Sequence, residues 1–165
     1  MNKKKWHNII NKFKKLNVLI VGDAMIDAYM WGHVDRQSPE ALVPVVNVKC
    51  HEKRLGGAAN VAKKIKKLGA NPILCSVIGN NDQGFLELMK LKGLNTSGII
   101  QEERKTTVKT RIISKEKHQL RIDEEDVFPI RSEEIFIEKT ISLMKDTSII
   151  MLQDYNKGVL TPKII

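Results

Sequence analysis

Residues 17–27 read Asn17-Val18-Leu19-Ile20-Val21-Gly22-Asp23-Ala24-Met25-Ile26-Asp27, and this stretch decides the fold. An unbroken apolar run, Val18 to Val21, closed by Gly22-Asp23, is the pattern of a short strand buried on both faces. Such strands belong to parallel sheets covered by helices, and ligands bind there beyond the carboxyl ends of the strands. Asp23 therefore stands where a site is expected, and Asp27 follows four residues later. Carboxylates at that edge can accept hydrogen bonds from ligand hydroxyls. Asp23 fits a second use equally well, as the cap of a turn.

Working outward, strands and helices alternate. Trp6, Ile9, Ile10, Phe13 and Leu16 recur at helical spacing before the first strand. After it, Gly57 to Leu68 reads as a helix stopped by Gly69, Ile73 to Ile78 as a strand, and Asp82 to Lys92 as a helix followed by Gly93. Ser132 is positioned to cap a helix running to about Lys145, with Glu133 and Glu134 favoured by the dipole in its first turn. Ser148 to Leu152 is a further buried strand. Two segments break the rhythm. Leu42 to Cys50 is rich in Val but contains Pro44, which suits an edge strand. Thr106 to Ser114 and His118 to Asp123 alternate with period two, as a hairpin does. Both are expected to form a small sheet standing off the main parallel one.

Length and composition agree with one ordinary globular domain: 165 residues, 42% hydrophobic and 28% charged. The apolar runs are far too short for a membrane span, and the Lys-rich start lacks the apolar stretch of a signal peptide. Cys50 and Cys75 show no metal-type spacing, and two thiols without an export signal read as reduced and cytoplasmic. The formal charge is +9. It comes mostly from scattered Lys without interleaved aromatics, which reads as solvated helix surface rather than a nucleic-acid face. Positive charge also suits an anionic small substrate.

Three further motifs carry chemistry. Gly56-Gly57-Ala58-Ala59-Asn60-Val61-Ala62 opens a helix with two glycines. These allow a ligand to approach the backbone at free N–H donors, though close helix packing explains the small residues equally well. The motif is neither the GxxxxGK[ST] phosphate loop nor the dinucleotide fingerprint. In Thr107-Val108-Lys109-Thr110-Arg111, alternation puts Lys109 and Arg111 on one strand face, as a phosphate clamp or as an exposed face guarded by charge. Asp154-Tyr155-Asn156-Lys157-Gly158 follows the last strand, so Asp154 is expected to join Asp23 at the same sheet edge. No His or Cys spacing predicts a metal site.

Taken together and in order, these motifs, with Ser38-Pro39-Glu40-Ala41, Val43-Pro44-Val45-Val46 and Gln119-Leu120-Arg121-Ile122-Asp123, resemble the heptose 7-phosphate kinases of the ribokinase-like (PfkB-type) carbohydrate kinase family. The resemblance spans residues from about 17 to 162, with Leu42 where the family usually has proline and Gln153 where it often has serine. It implies an α/β three-layer sandwich with a small β lid, built from segments at about 33–55 and 104–124. It implies that Asp23, Asp27, Gly56, Gly57, Asn60 and Lys109 line a sugar site, with Arg111, Asp154 and Lys157 beside them, and that lids pair between subunits as a homodimer. It also implies ATP and Mg²⁺ as cofactors, a sugar phosphate as substrate, and a catalytic aspartate in a DTxGAGD-type motif. That motif does not occur in residues 1–165, and Thr161-Pro162 reads as the start of a helix. The chain is therefore expected to be the N-terminal half of a kinase domain, holding the acceptor and not the donor, and inactive alone. A non-catalytic sugar-phosphate-binding or dimerising module, or a kinase for another sugar or a nucleoside, are the alternatives.

Overall fold

The computed structural model of the chain describes residues 10–80 and 82–165. In chain order its elements are β1 (Asn17–Gly22), β2 (Ala24–Gln37), β3 (Pro44–Gly56), α1 (Gly57–Lys67), β4 (Asn71–Gly79), α2 (Gln83–Leu91), β5 (Ile99–Glu102), β6 (Thr107–Ser114), β7 (Lys117–Glu124), α3 (Glu133–Met144) and β8 (Ile149–Gln153). One four-stranded sheet has the order β5-β4-β1-β8 and a second has the order β3-β2-β6-β7. All neighbours in the first sheet are parallel, with Leu19 of β1 opposite Ile73 of β4 and Ile150 of β8.

The apolar run of β1 is explained by where its two faces go. Val18 and Ile20 pack with Ala58, Ala59 and Ala62 of α1 and with Phe85 and Met89 of α2. Leu19 and Val21 point to the opposite layer, against Cys75, Val77, Phe136 and Val159. Leu19, Ile20 and Val21 are wholly buried, each contributing roughly 1.5–3 kcal/mol of burial. The alanines of α1 let that helix lie close on the sheet. This α/β sandwich with a second sheet standing off it is the architecture expected from the sequence. No helix among the described residues is long and apolar enough to cross a membrane.

The second sheet is larger than expected. β2 leaves the first sheet immediately after Asp23 and runs for 14 residues. It pairs antiparallel with β3 and parallel with β6, and β6 pairs antiparallel with β7. The lid thus occupies residues 24–56 and 107–124, and its central strand begins inside the stretch read only as a motif. The start of β2 is buried on both faces, so it shows no clean alternation. Pro44 opens β3, an edge strand, where its missing N–H costs little. Leu42 and Val43 lie outside that strand, in a turn where Ser38 N–H donates to Val43 C=O at 2.9 Å.

Other boundaries hold with adjustments. Asp82 caps α2 by accepting from Phe85 N–H at 2.9 Å. Ser132 stands at the start of α3 but makes no side-chain cap; its hydroxyl donates instead to Glu102 Oε2 at 2.8 Å. Residues 10–13 are helical, while Trp6 and Ile9 of the expected first helix fall outside the described residues. At Thr161-Pro162 the chain turns, with Ile164 and Ile165 N–H both donating to Thr161 C=O.

β8 is an edge of its sheet, and Ile149, Ile150 and Leu152 are 45%, 43% and 48% exposed. Open strand edges and exposed apolar side chains promote association. Light scattering should therefore find species heavier than one chain, and Ile150→Lys with Leu152→Lys should return them to monomer. A monodisperse monomer of the unaltered chain would contradict this reading.

Candidate functional site

Asp23 sits between β1 and β2 and is 1% exposed. Its carboxylate accepts from the backbone N–H of Tyr155 at 2.7 Å, of Lys157 at 3.1 Å and of Val159 at 3.1 Å. Its own N–H donates to Gln153 C=O at 3.0 Å, and its C=O accepts from Ala58 N–H at 2.9 Å. Ser76, also buried, donates its hydroxyl to Gly22 C=O at 2.6 Å and accepts from Ala24 N–H at 3.1 Å. One aspartate thus ties β1 to the β8 loop and to the start of α1. Asp154 does share the sheet edge, since Gly22 and Gln153 are in register. It does not pair with Asp23 as a second acceptor, however. It is exposed and accepts from Asn156 N–H at 2.7 Å within its own turn. The expected convergence of two strand-end aspartates resolves into one organising residue and one surface turn.

The diglycine has a steric cause. A Cβ at Gly56 would lie 2.6 Å from Asp27 Oδ2 and 2.8 Å from Met25 Cγ. Gly57 has φ of +53°, and a Cβ there would lie 2.3 Å from the carbonyl oxygen of Asp23. Both aspartates of the first motif therefore pack against the start of α1, whose first turn carries half-buried Asn60.

Across the lid, one row of side chains runs Arg54, Asp27, Lys109, Asp123 on four adjacent strands. Lys109 and Arg111 share a face, as alternation required, yet they do not act as one clamp. Arg111 donates to Asp27 Oδ1 at 2.6 Å and lies 5.5 Å from the Tyr29 ring centroid. Lys109 Nζ reaches the other way, to Asp123 Oδ2 at 2.8 Å and Glu125 Oε2 at 3.0 Å. Glu125 also accepts from Lys157 Nζ at 2.9 Å. A cation of the lid and a cation of the β8 loop therefore meet on one carboxylate. Glu125 carried no signal in the sequence beyond being an acid after a strand, and Asp123 only that of ending the Gln119–Asp123 motif; only the fold brings them to the cations.

Electrostatics follow from these contacts. Burial opposes the Lys109 ammonium, but hydrogen bonds to Asp123 and Glu125 outweigh it and raise its pKa. Lys157 first, then Lys109, hold the Glu125 carboxyl below its ordinary range. Lys109 likewise lowers Asp123. The contribution of these depressed carboxylates is full above their unfolded pKa values and is lost as pH falls through the folded ones.

The described residues contain no group of three or more His, Cys, Asp or Glu placed to hold a metal ion. They form no all-protein cage for a metal; Mg²⁺ is commonly held by one or two carboxylates together with substrate phosphates.

Two outcomes test this geometry. Asp23→Ala should cost roughly 1–3 kcal/mol for each donor left unsatisfied. Hydrogen exchange should quicken at Tyr155, Lys157 and Val159; unchanged exchange there would refute the organising role. By carbonyl NMR, Glu125 should titrate below the ordinary glutamate range and move upward in Lys157→Ala and Lys109→Ala. Midpoints unmoved by both variants would break the link.

With this geometry in view, three comparisons are informative. The sequence pattern of the pfkB family of carbohydrate kinases matches residues 15–156. The bifunctional protein HldE of Campylobacter fetus subsp. fetus is 46% identical over an alignment of 150 positions, covering 89% of this chain and 33% of that protein. The protein of the same name from Pelobacter propionicus is 39% identical over an alignment of 173 positions, gaps included, covering 100% of this chain and 35% of its own length. The chain thus spans about a third of these relatives. Among solved structures, ribokinase from Cryptococcus neoformans var. grubii serotype A, in complex with ADP, superposes with a TM-score of 0.53 at 16% identity, covering 83% of this chain and 40% of that one. That likeness concerns the fold.

Proposed function

Since the chain belongs to the pfkB family of carbohydrate kinases, we propose that it forms the acceptor side of an ATP- and Mg²⁺-dependent kinase for D-glycero-D-manno-heptose 7-phosphate. The product would carry phosphate on the anomeric hydroxyl, a step toward ADP-heptose for lipopolysaccharide core. The observation that carries this reading is the meeting of Lys109 and Lys157 on Glu125. Two cations from separate parts of the fold, 16% and 15% exposed, converge where one anionic group is already held. A substrate phosphate can take the place of that carboxylate, with Lys157 kept in position by the bond from its backbone to Asp23.

Asp27 supplies an acceptor for sugar hydroxyls, held by Arg111 and by the close approach of Gly56. Gly57 and Asn60 bring the open end of α1 to the same place. Asp23 acts through the loop it organises, and Asp154 borders the site from the surface. The lid covers the sugar and excludes water, which sharpens each of these contacts. ATP, when bound by the complete kinase, supplies the transferred phosphoryl group. Lids pairing between two copies, a cytoplasmic location and the absence of a nucleic-acid partner complete the proposal. The exposed β7 edge, with Leu120 and Ile122 at 55% and 43% exposure, supports the pairing.

Titration of the chain with heptose 7-phosphate and with unphosphorylated heptose tests the assignment. Lys109→Ala should cost about 1.5–3 kcal/mol for the phosphorylated sugar, roughly 10–150-fold in Kd, and little for heptose. In a protein of the relatives' full length the same change should raise KM with kcat nearly kept. Arg111→Ala should do less to binding and more to melting temperature, because it braces β2 against β6. Equal losses on both sugars would place Lys109 away from the 7-phosphate and sink the proposal.

A further inference from the structure

Beside the lid, the last turns of α1 form one wall of a cavity of about 450 Å³. Lys63, Lys66 and Lys67 of α1, Lys53 and Arg54 of β3, and Lys92 after α2 line it, with Glu52 as the one carboxylate and Leu55 as the one apolar residue. We propose that this cavity is a binding site for a small polyphosphate anion, recognised through its phosphate chain.

The charge there is not compensated from within. Glu52 is used by Arg54, in a two-pronged pair at 2.5 and 2.7 Å. Arg54 is further held over the Tyr29 ring, 4.6 Å from its centroid. Lys66 donates to the carbonyl of Gly93. Lys53, Lys63, Lys67 and Lys92 form no ion pair among the described residues. Residues 63, 66 and 67 share one helix face, where like charges repel. Burial first, then Lys67, Lys92, Arg54 and Lys64, push the Lys63 pKa down. The helix dipole accounts for cations in the last turn of α1, namely Lys64, Lys66 and Lys67. It does not account for Lys53, Lys63 and Lys92, which come from three different places to the same cavity.

The lining also defines the ligand. It has no aromatic ring on which a base could stack and one apolar side chain, so only negative charge and phosphate oxygens are read. Its concave shape and volume suit a short chain of phosphates rather than the continuous track that a nucleic-acid backbone needs. The cavity adjoins the lid through Arg54, which stands opposite Asp27 in register, while its lysines continue down α1, Lys67 roughly 10 Å beyond Asn60 by the rise of a helix. Pyrophosphate and tripolyphosphate carry no sugar ring, so a test with them reads this cavity independently of the proposed substrate.

Equilibrium dialysis of the chain at fixed ionic strength, with pyrophosphate, tripolyphosphate and ADP as probes, tests the proposal. The expected result is one saturable equivalent, tighter for tripolyphosphate than for pyrophosphate, with ADP no tighter than pyrophosphate. Lys63→Ala with Lys67→Ala should weaken binding by about tenfold or more, as loss of charged hydrogen bonds does. Lys92→Ala, a surface change that spares α1, should also weaken it, and Lys63→Arg should retain it. Lys109→Ala should leave it unchanged. Absence of saturable binding overturns the proposal. So do several equivalents that vanish with added salt, loss in Lys109→Ala but not in the Lys63 and Lys67 pair, preference for ADP, or displacement by an oligonucleotide at lower concentration than tripolyphosphate.

Discussion

A buried carboxylate at the end of the central strand organises everything around it. Asp23 accepts three backbone N–H donors from the loop after β8, and its peptide groups bond to Gln153 and Ala58. The β8 strand, the diglycine start of α1 and the departure of β2 into the lid are thereby fixed to one point. Gly57 has no side chain because the carbonyl of Asp23 occupies the space a Cβ would need. Gly56 has none because Asp27 does. A motif that looks like a ligand loop is, in large part, the packing of two aspartates against a helix end. The same packing leaves Asp27 at the inner edge of the lid.

What could be read from the sequence follows physical range. β1, α1, α2 and the β6–β7 hairpin were legible because hydrophobic period and glycine stops act within a few residues. β2 was not, because its first half is buried on both faces and lost the alternation that announces a strand. β5 is four residues long and offers too little pattern. At the site, the shared face of Lys109 and Arg111 was readable from alternation alone. Their partners were not: Asp27 is 84 positions from Arg111, and Glu125 is 16 from Lys109. Ser132 shows the same limit. Its place at the helix start was evident, but Glu102, a buried acid from β5 that also accepts from Arg131 N–H and Ser132 N–H, claims its hydroxyl.

Charge is arranged in this chain on two scales. In the lid row Arg54, Asp27, Lys109 and Asp123, cation and carboxylate alternate across strands, and both cations are paired, Arg54 with Glu52 and Lys109 with Asp123. Along the C-terminal half of α1 the cations outnumber the anions, and the excess is held within one concavity. A net charge of +9 describes neither arrangement. The first is a set of pairs and the second a standing field; the two respond differently to salt because exposed charges are screened more than partly buried pairs.

The direct passage from β1 through Asp23 into β2 has a mechanical consequence. No flexible linker separates the two sheets there, and β3 runs just as directly into α1, so the second sheet is carried on a base held by Ser76, Gln153 and the start of α1. Fourteen residues of strand extend roughly 45 Å from that base. A pivot of only a few degrees at the base then sweeps the far end through several ångströms, while Asp27, three residues past the base, barely travels. The geometry gives the far end of β2 a long arm and Asp27 a short one, so displacement and position are set at opposite ends of one strand.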